Sequence, residues 1–179
     1  MNRCKWANNV NEIYTKYHDE EWGIPLHDEH KLYEMLILES FQAGLSWVCI
    51  LNKRENFKKA FDNFDINKVI NYDETKIQKL RNDEEIIRNK LKINAAIKNS
   101  KIFKEIQKEY GSFDKYIWHF TNNKTIYETD KVSSELSDRV SKDLKKRGMT
   151  FVGTIIIYSY LQAIGIINSH EMQCFKNKK

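Results

Sequence analysis

Asp83–Tyr110 reads DEEIIRNKLKINAAIKNSKIFKEIQKEY, and its apolar residues decide the fold. Ile86, Ile87, Leu91, Ile97, Ile102, Phe103 and Ile106 recur three and four residues apart among charged side chains. That is the period of one helix face. Val69, Ile77 and Leu80 carry it upstream. No stretch alternates cleanly enough to suggest a sheet, and only one proline and six glycines interrupt the chain. The fold class is all-α.

Outward from this stretch, the spacing predicts helices over Ile66–Val69, Glu74–Arg81, Asp83–Tyr110 with a break, and Phe113–Phe120. Upstream, Asp28 opens a helix over Glu29–Glu39, and Ser46 serves as N-cap for another over Trp47–Phe61. Downstream, Thr121–Ser137 is polar and aperiodic, a long surface loop. Helices over Asp138–Arg147 and Thr154–Ile164 then flank a short hairpin, and Lys176–Lys179 is expected to fray. With no repeat and no low-complexity linker, residues 1–179 form one domain.

Lys and Arg outnumber Asp and Glu by 30 to 25, a formal charge of +5 that biases the surface toward anionic partners. The most apolar run, Phe151–Ile167, contains Ser159, Gln162, two tyrosines and two glycines. It falls short of the roughly 20 apolar residues that a membrane span needs, so a buried helix and no membrane partner are expected. Met1–Trp22 has no apolar run of the signal-peptide kind. With three cysteines in all, the reading is a cytoplasmic, reducing setting that favours metal binding over a Cys4–Cys174 disulfide.

Four groups of residues carry chemistry. Cys4 and His18 near one end, with His170 and Cys174 near the other, make a Cys2His2 set that could close a tetrahedral zinc site. His170 and Cys174, four apart, share one face of a helical turn. The competing reading is two buried thiols and two ordinary histidines. Lys145–Thr154 reads as basic helix, glycine, apolar plug, glycine, helix start. Gly148 can end the first helix in a left-handed conformation and Gly153 permits close backbone approach. Thr154 begins a helix whose free N–H groups suit a phosphate. Lys142, Lys145, Lys146 and Arg147 add attraction to a nucleic-acid backbone, although a plain hairpin with a solvated basic face has the same pattern.

Glu39 lies seven, four and three residues after Leu32, Met35 and Leu36, on the apolar stripe of its helix, while Glu34 lies nearer the polar edge. A buried glutamate is costly unless paired, so either the N–H groups of the Ser40–Ser46 turn satisfy it or it awaits a ligand. Trp6, Tyr14, Tyr17 and Trp22 cluster near the amino terminus, and Trp47 follows the Gln42–Ser46 turn. Aromatic faces flanking a carboxylate suit an extruded nucleobase, though they serve equally as core.

These pieces coincide with a known family. Arg3–Trp6, Tyr17–Pro25, Leu38–Trp47, Ile86–Asn89 and Lys145–Thr154 closely resemble 3-methyladenine DNA glycosylase I, in that family's order and from Arg3 to Cys174. The resemblance implies a two-lobed helix-hairpin-helix glycosylase with a base-binding cleft. It implies a monofunctional enzyme that excises 3-methyladenine from double-stranded DNA, leaving an abasic site and releasing the free base.

Residue by residue, the resemblance implies that Cys4, His18, His170 and Cys174 hold a structural Zn2+ joining the two chain ends. It makes Glu39 the acid that recognises the base, with Tyr17 and Trp47 as ring contacts and Trp6, Tyr14 and Trp22 as walls. The Gln42–Leu45 turn, with Gly44, fills the gap left by the flipped nucleotide, Leu45 as wedge. Met149-Thr150 and Asn168-Ser169-His170 are local departures from the family's pattern, the second expected to matter little because the ligand is kept.

No aspartate follows Asp143. The activated-water arrangement of many superfamily members is therefore not expected, which fits a cationic base that leaves easily. The rival readings are a non-catalytic helix-hairpin-helix DNA-binding module and a zinc hydrolase. A monomer is the simplest expectation. His27, His30 and His119 read as surface or core histidines, and Cys49 as a packed thiol.

Overall fold

A computed structural model describes residues 2–8 and 10–177. Lys178 and Lys179 of the expected frayed end lie outside the described residues. The helices run α1 Glu12–Glu20, α2 Glu29–Gln42, α3 Trp47–Asn52, α4 Arg54–Ala60, α5 Ile66–Val69, α6 Glu74–Asn82, α7 Lys90–Tyr110, α8 Phe113–His119, α9 Glu135–Lys146 and α10 Thr154–Ala163. The all-α class holds.

The central helix is α2. Every residue from Leu32 to Phe41 is buried, including Glu34 and Glu39. An element enclosed on all sides has no polar edge for Glu34 to occupy, contrary to the sequence-based expectation. Glu34 is instead accommodated by Arg54, whose Nε donates to it at 2.8 Å while Nη1 donates to Glu21 at 2.9 Å. Burial pulls the Arg54 pKa down, but the Glu34 and Glu21 carboxylates outweigh it and hold it above the ordinary arginine value.

Several boundaries differ from the periodicity, each for a local reason. The helix expected over Trp47–Phe61 is two, because Lys53 leaves helical geometry (φ −101°, ψ 0°) and sends its Nζ to the carbonyls of Glu84 and Glu85. Ser46 has the extended backbone of an N-cap but makes no side-chain cap bond. The break in Asp83–Tyr110 falls before Lys90, where Asn89 Oδ1 accepts the Lys92 N–H at 3.1 Å and starts α7. Helix α1 lacks a long apolar face and escaped the periodicity, although Asn11 caps it.

Thr121–Ser137 is not all loop. Ile126–Tyr127 (β1) pairs in parallel with Ile167–Asn168 (β2), a two-residue bridge too short to alternate. A Ser134/Ser137 capping box starts α9 three residues early.

Helices α9 and α10 pack against each other and α10 against α2, so the hairpin between them is fixed to the core. Gly148 has φ +101°, the left-handed turn that glycine adopts without a Cβ penalty. Met149 and Val152 are buried as the plug. Asn99 of α7, fully buried, clamps the loop by donating to Thr150 O at 2.8 Å and accepting from its N–H at 3.0 Å. The end of α10 is tied to the amino-terminal segment by Gly23 N–H to Gln162 O (2.9 Å) and Leu26 N–H to Ile164 O (3.0 Å).

Candidate active site

A cavity of about 330 Å³ opens between α1, the carboxyl end of α2, α3, α10 and the loop after β1. Trp6, Tyr14, Tyr17, Trp22, Glu39, Gln42 and Trp47 line it, together with Thr129, Asp130, Lys131, Ser159, Gln162, Ser169 and Glu171. The five aromatic residues and the acid singled out from the sequence thus share one cavity. Tyr17 and Trp47 meet at 5.5 Å between ring centroids, and Trp6 touches both Tyr14 (5.0 Å) and Trp22 (4.9 Å).

Glu39 is 2% exposed, and among the described residues its buried Oε2 has no hydrogen-bond partner. The N–H groups of the Ser40–Ser46 turn do not satisfy it: Leu45 N–H closes back on Gln42 O at 2.7 Å. Burial, with no cation to offset it, holds the Glu39 carboxyl well above its usual range. Burial and then the Glu39 charge lift Tyr17 well above an ordinary phenol, and Tyr14 is raised by the same two causes. Trp47 Nε1 is a second buried polar atom without a partner among the described residues. A donor and an acceptor, both desolvated and unpaired between stacking faces, leave room for a flat heteroaromatic ring with its own polar edge.

The presumed wedge turn borders this cavity through Gln42. Gly44 and Leu45 are exposed, and Gln42 Nε2 donates to Leu45 O at 2.9 Å, fixing the turn's shape.

On the hairpin, Lys142, Lys145 and Lys146 are exposed, as expected of a basic face, and a Cβ at Gly153 would meet no atom within 4 Å. Thr154 starts α10, and its Oγ1 lies 2.8 Å from Ser137 Oγ. Arg147 corrects the sequence reading. Its guanidinium pairs with Asp143 at 2.7 Å and with Glu109, and lies over Tyr110 and Tyr116, so it serves the interior rather than the basic face. Asp143, which also accepts from Tyr116 Oη, is equally committed.

Cys4, His18 and Cys174 form a buried group whose ligand atoms all lie within 4.8 Å of one another. His170 stands beside the group, 2% exposed, its ring 5.1 Å from that of His18 and its Nε2 buried without a partner among the described residues. Asn168 Oδ1 fixes that ring through Nδ1 at 2.9 Å, and Asp19 does the same for His18 at 2.8 Å. Burial and then His18 pull His170 down to about 4, leaving a neutral imidazole. Burial pushes the Cys4 thiol up to about 12. Trp22 lies edge-on to His170 (4.6 Å) and Trp6 edge-on to His18 (5.1 Å), so this group backs the aromatic wall of the cavity. The other histidines are engaged elsewhere: His27 with Asp114, His30 with Asn63 O and His119 with Tyr116 O.

Sequence reasoning missed the rest of the cavity's lining. Gln162 donates to Ser169 Oγ at 2.8 Å there, so Ser169, where the Asn168-Ser169-His170 stretch departs from the family's pattern, lines the cavity. No local pattern marks Thr129–Lys131, which follow β1 and line the cavity.

The fold has close counterparts. A crystal structure of a 3-methyladenine DNA glycosylase I variant in complex with 3-methyladenine superimposes with a TM-score of 0.94 at 32% identity, covering 100% of this chain and 99% of the other. One from Staphylococcus aureus, described for its 3-methyladenine recognition, gives 0.94 and 32%, covering 100% and 98%. Fold and cavity together define a helical protein of the DNA glycosylase class.

The sequence narrows this. The profile of the family described as methyladenine glycosylase matches residues 6–177. DNA-3-methyladenine glycosylase 1 of Escherichia coli K12 is 41% identical over 180 residues, covering 97% of this chain and 96% of that one. DNA-3-methyladenine glycosylase of Haemophilus influenzae is 36% identical over 178 residues, covering 96% of each. The chain belongs to the methyladenine glycosylase family. Among the described residues no helix is long and apolar enough to cross a membrane.

Proposed function

We propose that this chain is a monofunctional DNA glycosylase that extrudes 3-methyladenine from double-stranded DNA and hydrolyses its N-glycosidic bond. The observation that carries the reading is the buried, unpartnered Glu39 oxygen among Tyr17, Trp47 and the other rings of one cavity. Family membership and the relatives' names support it.

N3-methylation places a positive charge on the purine. Glu39 accepts a hydrogen bond from the exocyclic amine, and its ionisation, disfavoured in the empty cavity, is restored by the cationic ring. Normal adenine brings no charge to offset that cost, which is the basis of discrimination. Tyr17 and Trp47 hold the ring, with Trp6, Tyr14 and Trp22 as the outer wall. The C1′–N9 bond then breaks, its electron pair goes to the ring, and neutral 3-methyladenine leaves. Water adds to the sugar cation at C1′ and loses a proton, giving the abasic site. Because the leaving group is already activated, the chain needs no separate acid.

Gln42, Gly44 and Leu45 fill the vacated stack, and Lys146, Gly148, Gly153 and Thr154 of the hairpin hold the backbone. The enzyme works as a cytoplasmic monomer, one domain whose two lobes flank the cavity.

Cys4, His18, His170 and Cys174 would hold a structural zinc ion. The fit rests on the donors: two sulfurs and two imidazoles without oxygen, an orphaned Nε2, and backbone N–H groups of Glu171 and Lys176 directed at Cys4 and Cys174 sulfur at 3.4 and 3.5 Å. Four protein ligands leave no position for water, so the ion would stabilise the wall rather than react.

The test is incubation with methylated duplex DNA and chromatography of the released bases, beside unmethylated DNA. Free 3-methyladenine from the first alone supports the proposal. Tight binding without release would make the chain a non-catalytic hairpin module.

A further inference from the structure

The carboxyl end of α2 is unusual in what closes it. Its C-cap, Ala43, has non-helical backbone (φ −48°, ψ 116°), and the last turn carries no basic residue of its own. The cation comes from 49 residues away. Lys92 of α7 reaches across and donates from Nζ to Phe41 O at 2.8 Å and to Ala43 O at 2.5 Å.

Two features of Lys92 oppose this placement. It occupies the first turn of α7, where the helix dipole disfavours a positive charge. It is also 8% exposed, and burial lowers its pKa. The compensation is the C-terminal end of α2, whose carbonyls favour a cation. Ala43 is followed by Gly44, with φ +76° and no atom within 4 Å of an added Cβ, and then by exposed Leu45. The lysine thus grips the chain at the residue before the left-handed Gly44, where the turn that carries Leu45 begins. Three residues upstream of Gln42 on the same helix lies Glu39.

From this geometry we infer that Lys92 is a positioning residue: it clamps the end of α2 so that Leu45 is presented to the DNA stack. The inference rests on the glycosylase reading above. It concerns the duplex only, because a single strand has no opposing partner whose pairing must be replaced.

The experiment compares single-turnover release of 3-methyladenine from methylated duplex and methylated single-stranded DNA by wild type, Lys92→Met and Lys92→Arg. The ratio of the two rates within one preparation is independent of the fraction folded. Loss of two hydrogen bonds from a charged donor is expected to lower the duplex-to-single-strand ratio of Lys92→Met about tenfold. Lys92→Arg, which keeps a cationic donor, should recover much of it. An unchanged ratio in Lys92→Met, or equal losses on both substrates, overturns the inference and leaves the glycosylase reading standing. Should Lys92→Met yield no folded protein, Lys92→Gln is measured in its place: a lowered ratio supports the inference and an unchanged one overturns it. Wild-type protein that releases no base from either substrate overturns both.

Discussion

Glu39 carries opposite consequences for stability and for function. Its folded-state pKa stands above the ordinary 4.5 because burial disfavours the charge. Between those two values the native state binds more protons than the unfolded chain. Stability from this group is therefore full below about pH 4.5 and is lost as pH rises through the folded value. Glu39→Gln removes the titration. The variant is expected to gain on the order of 1–2 kcal/mol at pH 7.5, a few degrees in melting temperature, with the gain shrinking as pH falls toward the carboxylate range. The same substitution is expected to lower excision of 3-methyladenine by about 100-fold or more while leaving duplex affinity within a few-fold. Melting curves across pH and single-turnover rates check the two halves. A gain over wild type that is the same at both ends of the pH range, or a fully active variant, refutes the assignment.

At the scale of the element, the hairpin separates shape from charge. Gly148 sits at φ +101°, and a Cβ there would meet Ile102 Cδ1 only at 3.5 Å. Gly148→Ala therefore costs backbone strain rather than a clash, about 1–2 kcal/mol of stability by chemical denaturation. Lys146→Ala touches charge alone. Its expected effect is weaker binding to all duplex sequences alike and a salt dependence of log K smaller by about 1, read by titration at several salt concentrations. Sequence reading found this element because its signals are local: glycines, a basic run and an apolar plug within ten residues. It misplaced Arg147 because, Asp143 four residues back apart, the partners that claim it, Glu109, Tyr110 and Tyr116, lie 38, 37 and 31 positions away.

At the scale of the molecule, the group at Cys4, His18, His170 and Cys174 would join the first turn to the last. A cross-link over so long a loop restricts the unfolded chain by on the order of 3–5 kcal/mol. His170→Ala or chelation is expected to lower the melting temperature by roughly 10 °C, on the basis of that range, and to deplete bound zinc. Activity should persist in whatever stays folded, since Trp6 and Trp22 rest against the group without reaction passing through it. Metal analysis with thermal melting decides this, and a metal-free wild type of unchanged stability refutes it.

Helical class, the hairpin and the residues of the aromatic wall were legible in one dimension because periodicity, glycine chemistry and motif spacing are short-range properties. Even so, the enclosure of α2 from Leu32 to Phe41 was not, since no pattern along the helix says how many neighbours will cover it. Only the tertiary structure decided that Glu39 Oε2 lacks a partner among the described residues while Glu34 has Arg54, that Ser169 and Thr129–Lys131 complete the cavity, and that Lys92 closes the end of a helix 49 residues distant. Each of these depends on which groups meet after the chain folds, and the desolvation that makes them consequential exists only once water has been excluded.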